Sequence, residues 1–160
     1  MATIRIKSIR LGADLTKISF DERTADEQWI HTSIESPEMP LPALTNALQD
    51  MAKDVCFILE MDEDDAAFLT VTGCTFKWSE DINKYQVTII AKKKVKISNS
   101  PLNIATPLLS INVRDEEDEH AEFKSELNEK LIQVMYYAER YVDGEREAPE
   151  QDSLKFGKDE

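Results

Sequence analysis

The chain has 160 residues, of which 41% are apolar and 32% are charged, and its formal net charge at pH 7 is −13. That length and composition predict a single soluble domain with a core of its own, and no apolar run approaches the length of a membrane-spanning segment. So negative a chain repels phosphate backbones, which disfavours non-specific nucleic-acid binding through a broad basic face and admits a surface that imitates DNA.

The cysteines and the N-terminus predict the compartment. Cys56 and Cys74 both stand among apolar residues, which favours buried free thiols over a disulfide in a reducing environment. Residues 1–7 lack the apolar block and cleavage site of a signal peptide. We therefore expect the protein to remain in the cytoplasm of the cell that makes it.

The first part of the chain predicts a three-stranded meander. Residues 3–11 alternate apolar and polar side chains, with a slip of phase near Ser8. A turn signal at residues 12–14 separates them from a second strand over 15–20. After a further polar turn, residues 28–34 predict the third strand.

An amphipathic helix is predicted next. The sheet pattern is broken by Pro37, Pro40 and Pro42. Five apolar residues then recur at spacings of three and four: Leu41, Leu44, Leu48, Met51 and Val55. This helix should end near Leu59, before the acidic run Asp62–Asp65.

Two long strands follow and predict a second hairpin. They cover residues 67–78 and 84–91, and turn residues at 79–83 join them. Inside the first of them, Gly73 indicates a bulge or a close approach of another backbone. Residues 92–97 keep the strand pattern and predict one further strand.

The last predicted element is a helix. A loop over residues 98–107 and the acidic block Asp115–Glu119 precede it, and negative charge is stabilised at a helix N-terminus. Gly144 is the expected stop. The helix is recognised by an apolar stripe: Phe123, Leu127, Leu131, Val134, Ala138 and Tyr141.

Together these elements predict an α+β fold. One domain should cover residues 1–144, followed by a flexible acidic tail over 145–160. The order is β-β-β-α-β-β-β-α, with two amphipathic helices packed on an antiparallel sheet of five to six strands.

The basic cluster in the sixth predicted strand has two interpretations. As a strand, it would place Lys92, Lys94 and Lys96 on one face. They could then contact single-stranded nucleic acid, with Tyr85 or Trp78 stacking on bases. Alternatively, the lysines protect an edge strand from aggregation. We prefer the second interpretation because the rest of the chain is so negative.

No constellation of residues suits catalysis, so we expect a protein that is not an enzyme and that needs no metal and no cofactor. The adjacent carboxylates of Asp62–Asp65 diverge, whereas two-metal sites need carboxylates that converge from different elements. His31 is expected on a strand surface, without a nucleophile pattern. Two histidines without a Cys-x-x-Cys pair argue against zinc, and four glycines supply no phosphate-binding loop.

A short pattern in the tail points to a partner. Gln151, Leu154 and Phe156 form Q-x-x-L-x-F, which resembles the peptide by which bacterial DNA-replication and repair proteins dock on the sliding clamp. In such a peptide two apolar side chains fill a pocket, while the Gln amide satisfies polar groups at its edge. Alternatively, a lone Phe156 in this polar stretch folds back and fills a groove on the body.

Four segments of the chain resemble a family of small phage and prophage proteins. They are Val71–Trp78, Gln86–Ala91, Asn99–Pro107 and Ala138–Arg146. The Ser-Pro-Leu loop in the third and the Tyr-Val-Asp-Gly-Glu-Arg helix end in the fourth are the most specific. The resemblance runs through much of the chain and implies a phage origin, with no activity established for the family.

The resemblance also implies a clamp-type ending. Members of the family often finish with a Gln followed by an Asp-Leu-Phe-like sequence. This chain departs from that form, because Lys155 stands between Leu154 and Phe156 and four residues follow Phe156. The lysine would weaken docking if the rim of the pocket is basic.

Three hypotheses about function follow, all set in the cytoplasm of a bacterial host cell. The leading one is a non-enzymatic phage accessory protein of DNA replication or recombination, docked on the bacterial sliding clamp by its tail. The second is an acidic DNA mimic or anti-defence inhibitor that binds a host DNA-binding protein, defence protein or nuclease. The third is a single-stranded nucleic-acid-binding module that uses Lys92–Lys96.

Overall fold

The computed structural model describes residues 3–80, 84–112 and 117–145. Within them the elements are, in chain order, β1 (Thr3–Leu11), β2 (Thr16–Arg23), β3 (Trp29–Ser36), α1 (Pro42–Gln49), α2 (Ala52–Ile58), β4 (Leu69–Trp78), β5 (Lys84–Lys93), β6 (Leu102–Ala105), β7 (Leu109–Asn112) and α3 (Ala121–Val142). A short 3₁₀ turn, Glu63–Phe68, precedes β4. The predicted α+β fold is confirmed, with seven strands where five or six were expected.

All the strands pair antiparallel in one sheet. Their order is β3-β2-β1-β4-β5-β6, and β7 also pairs with β5, so that β6 and β7 share one edge. Between these two short strands, the backbone N of Thr106 donates to Ile89 O at 2.9 Å, and its Oγ1 accepts from Ile89 N at 2.9 Å. Thr106 thus satisfies both backbone groups of Ile89 at the point where the strand pairing passes from β6 to β7.

Two shifts of register flank the place where the first hairpin meets the second. The pairing of β1 with β2 shifts between Ile6 and Ser8, and the pairing of β4 with β5 shifts between Val71 and Gly73. A Cβ atom on Gly73 would lie only 2.0 Å from Ile9 O. The predicted slip of phase near Ser8 and the predicted bulge and close approach at Gly73 are both confirmed.

The core lies between the helices and one face of the sheet. Alternate strand residues are buried there, among them Ile9 of β1, Phe76 of β4 and Val87 of β5. Each such side chain stabilises the fold by about 1.5–3 kcal/mol relative to leaving it exposed. All three helices contribute to this core, so the opposite face of the sheet carries none of them.

Helix α3 follows its predicted stripe closely. Phe123 is partly buried, and the other five predicted positions are buried: Leu127, Leu131, Val134, Ala138 and Tyr141. The helix ends at Val142, and Gly144 has a φ of 103°, a conformation that suits glycine. Among the helices of the described residues, none has the length and the apolar character needed to cross a membrane.

The predicted helix over 41–59 is in fact two helices. The chain turns at Asp50 and Met51, between α1 and α2. The Gln49 side chain fixes the end of α1, since its Nε2 donates to Leu69 O at 2.8 Å and its Oε1 accepts from Val71 N at 3.1 Å. Met51 is fully buried although it lies in the turn. The apolar spacing therefore continues from α1 into α2, and the sequence pattern does not show the break between them.

The predicted strand over 92–97 is wrong for most of its length. Strand β5 ends at Lys93, and Lys94 N bonds to Phe68 O instead of to a neighbouring strand. The place beside β5 is taken by β6, which lies within the predicted loop over 98–107, and by β7, for which the sequence predicted no strand. Pro101 and Pro107 flank β6, as suits a short strand at a sheet edge.

Replacing Gly73 by alanine should destabilise the protein strongly. The added methyl would overlap a backbone oxygen, Ile9 O, at the junction of the two hairpins, so that one strand must shift. We expect a loss of at least about 2 kcal/mol in the free energy of unfolding, measured by urea denaturation.

The matched control is Gly12→Ala. There the nearest atom to the new methyl is Leu15 O at 3.4 Å, an ordinary contact. The control should change stability by less than about 0.5 kcal/mol. If the two variants unfold at the same urea concentration, the close approach at Gly73 is not a constraint on the sheet.

Tyr85 is buried in the core, and its hydroxyl donates to Asn128 Oδ1 at 2.5 Å. Burial, with a smaller contribution from Cys74, raises the pKa of Tyr85 above its ordinary value of 10. As the pH rises through 10, the unfolded chain releases this proton while the folded chain keeps it. The stability that comes from keeping the phenol protonated is therefore complete below pH 10, and it is lost progressively as the pH rises above 10.

When the pH is raised from about 9 to about 11, where phenols and lysines titrate, the free energy of unfolding should fall less in the Tyr85→Phe variant than in the wild-type protein. Urea unfolding of both proteins across this range measures the difference. The lysines titrate in both proteins, so their contribution cancels in the comparison. Equal pH slopes would contradict the burial of a protonated Tyr85.

Candidate functional site

A lysine-lined groove opens where β5 leaves the sheet. The segment after Lys93 is tied to the turn before β4, because Lys94 N donates to Phe68 O at 2.9 Å. A cavity of about 930 Å³ lies between them, lined by Asp65, Ala67, Phe68, Thr70 and residues 93–97. A second cavity of about 460 Å³ shares much of this lining and adds Lys92 and residues 98–101. We call the two together the lysine groove, defined by Phe68, Thr70 and residues 92–97.

The structure brings the three predicted lysines to this one place. Lys92, Lys94 and Lys96 all line the smaller cavity and are all exposed. They do not share a strand face, however, because only Lys92 belongs to β5. Lys93, which strand alternation would place on the face opposite to Lys92, lines the larger cavity with Lys94 and Lys96.

The aromatic residue in the groove is not one of the two that were expected. Tyr85 is in the core, and Trp78 is half-buried with its Nε1 donating to Ile6 O at 2.8 Å. Phe68 takes that position instead, with 49% of its surface exposed. The sequence treated Phe68 as an ordinary strand residue, and its one signal was its place directly between an acidic run and a buried strand.

The groove is basic with one acidic member. Among the described residues, no carboxylate lies within salt-bridge distance of the four lysine side chains, those of Lys92, Lys93, Lys94 and Lys96. Asp65 contributes the one carboxylate of the lining. These ammonium groups are therefore available to an anionic ligand.

One of the acidic residues before the groove, Asp62, has a structural role. Asp62 begins the 3₁₀ turn, where its side chain accepts from Asp64 N at 3.4 Å. Within residues 3–80, 84–112 and 117–145, no group of three or more His, Cys, Asp or Glu side chains is placed to hold a metal ion. Other exposed carboxylates lie on α3, at Glu122, Glu126 and Glu129. Whether such acids imitate duplex phosphates stays a prediction.

Outside the groove, the two cysteines are buried and His31 is paired with a carboxylate. Cys56 and Cys74 are buried free thiols, as predicted, and burial raises the pKa of both. Since the thiolate is the reactive form, these cysteines are protected from chemistry in the folded state. His31 is exposed on β3 as expected, with its Nδ1 2.9 Å from Asp21 Oδ1.

The predicted docking peptide, Gln151, Leu154 and Phe156, lies outside the described residues. The last described residue, Glu145, follows α3, and its carboxylate bonds to the guanidinium of Arg140. The support for a docking peptide is therefore its sequence.

No protein-family model matches the chain, and no curated protein and no solved structure matches it either. The resemblance to small phage and prophage proteins therefore stays a prediction. What the lysine groove binds has to be inferred from its own side chains.

Proposed function

We propose that this protein is a non-catalytic binding protein that takes up single-stranded nucleic acid in the lysine groove, in the cytoplasm of a bacterial host. One observation carries the proposal: four lysines and the half-exposed ring of Phe68 line a single open cleft. Proteins that bind single strands combine such a basic groove with aromatic side chains on which bases stack. A base pair inside a duplex does not offer its face to a ring in this way.

The net charge of −13 does not prevent such binding. At physiological ionic strength the Debye length is about 8 Å, so charges further away are largely screened. The lining of the groove carries four ammonium groups and the Asp65 carboxylate. We infer that positive charge prevails at the lining, although the molecule as a whole is negative. We therefore expect moderate affinity that depends strongly on salt.

Neutralising two groove lysines tests the electrostatic part. The Lys94→Gln/Lys96→Gln variant should bind a labelled oligothymidylate more weakly in fluorescence anisotropy. The slope of log K against log salt should fall by about 1.4, because each phosphate contact to a single strand contributes about 0.7. The control is Lys53→Gln on α2, an exposed lysine whose Nζ lies 3.4 Å from Glu63 Oε1. Equal losses in variant and control, or no binding by the wild-type protein at about 50 mM salt, would refute the proposal.

Removing the ring tests the stacking part. Phe68→Ala should reduce affinity by about 1–3 kcal/mol while leaving the salt slope unchanged, because stacking involves no counterion release. Phe57→Ala is the matched control, since Phe57 is another exposed phenylalanine but lies on α2. A loss of affinity in the control alone would place the strand on another surface.

A second candidate function is docking on the bacterial sliding clamp by the tail. It is supported by the Gln151, Leu154 and Phe156 pattern in the sequence and is compatible with the first function, because the peptide would address the protein to replicating DNA. Calorimetric titration with a bacterial clamp should show binding by the wild-type protein. The Leu154→Ala/Phe156→Ala variant should bind at least about 30-fold more weakly, as expected for two anchoring side chains.

Ser153→Ala, between Gln151 and Leu154, is the control for the tail and should bind as the wild-type protein does. If the wild-type protein and the double variant titrate alike, the tail is not a clamp-docking peptide. The lysine-groove proposal would be unaffected by that result.

A further inference from the structure

The register of the sheet sorts its side chains into two electrically different faces. Residues directly opposite each other in an antiparallel pair share a face. Ile9 is opposite both Ile18 and Cys74, and all three are buried in the core. The neighbouring pair, Arg10 and Lys17, therefore lies on the opposite face, which none of the three helices α1, α2 and α3 covers. We call that surface the open face.

The open face collects most of the cations of the strands. Seven positive side chains are placed on it by the register or by alternation with buried neighbours, and Lys7 is placed there by its contact with Asp21. The eight are Arg5, Lys7, Arg10, Lys17, Arg23, Lys77, Lys84 and Lys92. Among the described strand residues, two acids, Asp21 and Glu35, share it by register, and Glu27 of the turn after β2 reaches it through its carboxylate, which lies 3.8 Å from the guanidinium of Arg23. The three central strands β1, β4 and β5 contain no acid at all. The negative charge of the molecule is therefore concentrated elsewhere.

The lysine groove is continuous with this face. Lys92 and Thr70 are directly opposite each other across β5 and β4, and both also line the smaller cavity of the groove. Further hydroxyl groups continue along the open face, with Thr75 of β4 opposite Ser8 of β1. A strand bound in the groove thus meets hydrogen-bonding and cationic groups as it crosses the sheet, and no helix blocks it.

An aromatic side chain lies at the far end of the face. Trp29, on the edge strand β3, has 37% of its surface exposed. The guanidinium carbon of Arg5 lies 4.3 Å from the centroid of its ring, and that of Arg23 lies 5.7 Å away. A guanidinium close to an indole ring offers a cation for a phosphate, and the exposed part of the ring offers a surface for a base.

We propose that the open face is the path of the bound strand, which runs from the lysine groove across β4, β1 and β2 to Trp29. The inference rests on the proposed function, because it extends the same site. From β5 to β3 there are four inter-strand steps of about 4.8 Å, or about 19 Å across the sheet. The register also places Trp29 about eight residues further along the strands than Lys92, or about 26 Å at about 3.3 Å per residue. The diagonal path is therefore about 33 Å long, and a strand at the duplex spacing of about 3.4 Å per nucleotide needs about ten nucleotides to cover it. The complete site therefore holds longer oligonucleotides than the groove alone.

The test compares oligothymidylates of about 5 and about 15 nucleotides on the full chain. The Arg10→Gln/Lys77→Gln variant should bind the long probe at least about five-fold more weakly, with a salt slope lowered by about 1.4. Its affinity for the short probe should equal that of the wild-type protein, because neither residue lines the groove. The Lys53→Gln control should bind both probes as the wild-type protein does.

Tryptophan fluorescence reports the far end of the path. The long probe should quench emission in the wild-type protein and not in Trp29→Phe, which keeps Trp78 as its remaining tryptophan. The short probe should quench neither.

The outcomes separate the two proposals. If Arg10→Gln/Lys77→Gln binds the long probe normally while Lys94→Gln/Lys96→Gln does not, the groove stands and the path across the open face is wrong. If neither variant changes affinity, both proposals fail. If a duplex of the same length binds as tightly as the single strand, the open face attracts polyanions in general and is not a path for unpaired bases.

Discussion

The sheet depends on a short contact between β1 and β4. Only residues Ser8–Arg10 pair with Gly73–Thr75, yet this contact joins the first hairpin to the second and makes one sheet of two. It requires a residue without a Cβ at Gly73, because Ile9 O occupies the space where the atom would lie. The shifts of register on either side allow each hairpin to keep its own pairing. The common core and the continuous open face both follow from this junction.

The sequence predicted well those elements whose pattern of burial repeats between residues that are close together in the chain. Alternation in β1, β2, β4 and β5 and the stripe of α3 directly reflect which side chains are buried, so these elements lie close to where the patterns put them. The phase slip near Ser8 and the special role of Gly73 were visible for the same reason. The break between α1 and α2 was not, because the buried Met51 preserves the helical spacing across the turn. β6 and β7 were missed because each is only four residues long and follows a proline-rich stretch.

The candidate site was predicted in part. Three of its lysines were recognised as a cluster, since consecutive charges are obvious in a sequence. Phe68 was not recognised, because its exposure depends on where the segment after β5 lies relative to the turn before β4. The open face was beyond prediction, since Lys17 and Lys77 are brought to one surface only by pairing between distant strands. The docking role of the peptide with Gln151, Leu154 and Phe156 stays a prediction from the sequence.

The divided edge beside β5 has a consequence for self-association. A sheet can grow by adding strands at either margin, and long unpaired margins favour such growth. Here one margin is split into β6 and β7, interrupted at Thr106 and flanked by prolines, which leaves no continuous template. The other margin, β3, is eight residues long and uninterrupted. Within the described residues, a continuous margin for strand addition is thus present on the β3 side, and two copies pairing through β3 would form a closed pair in place of a fibre.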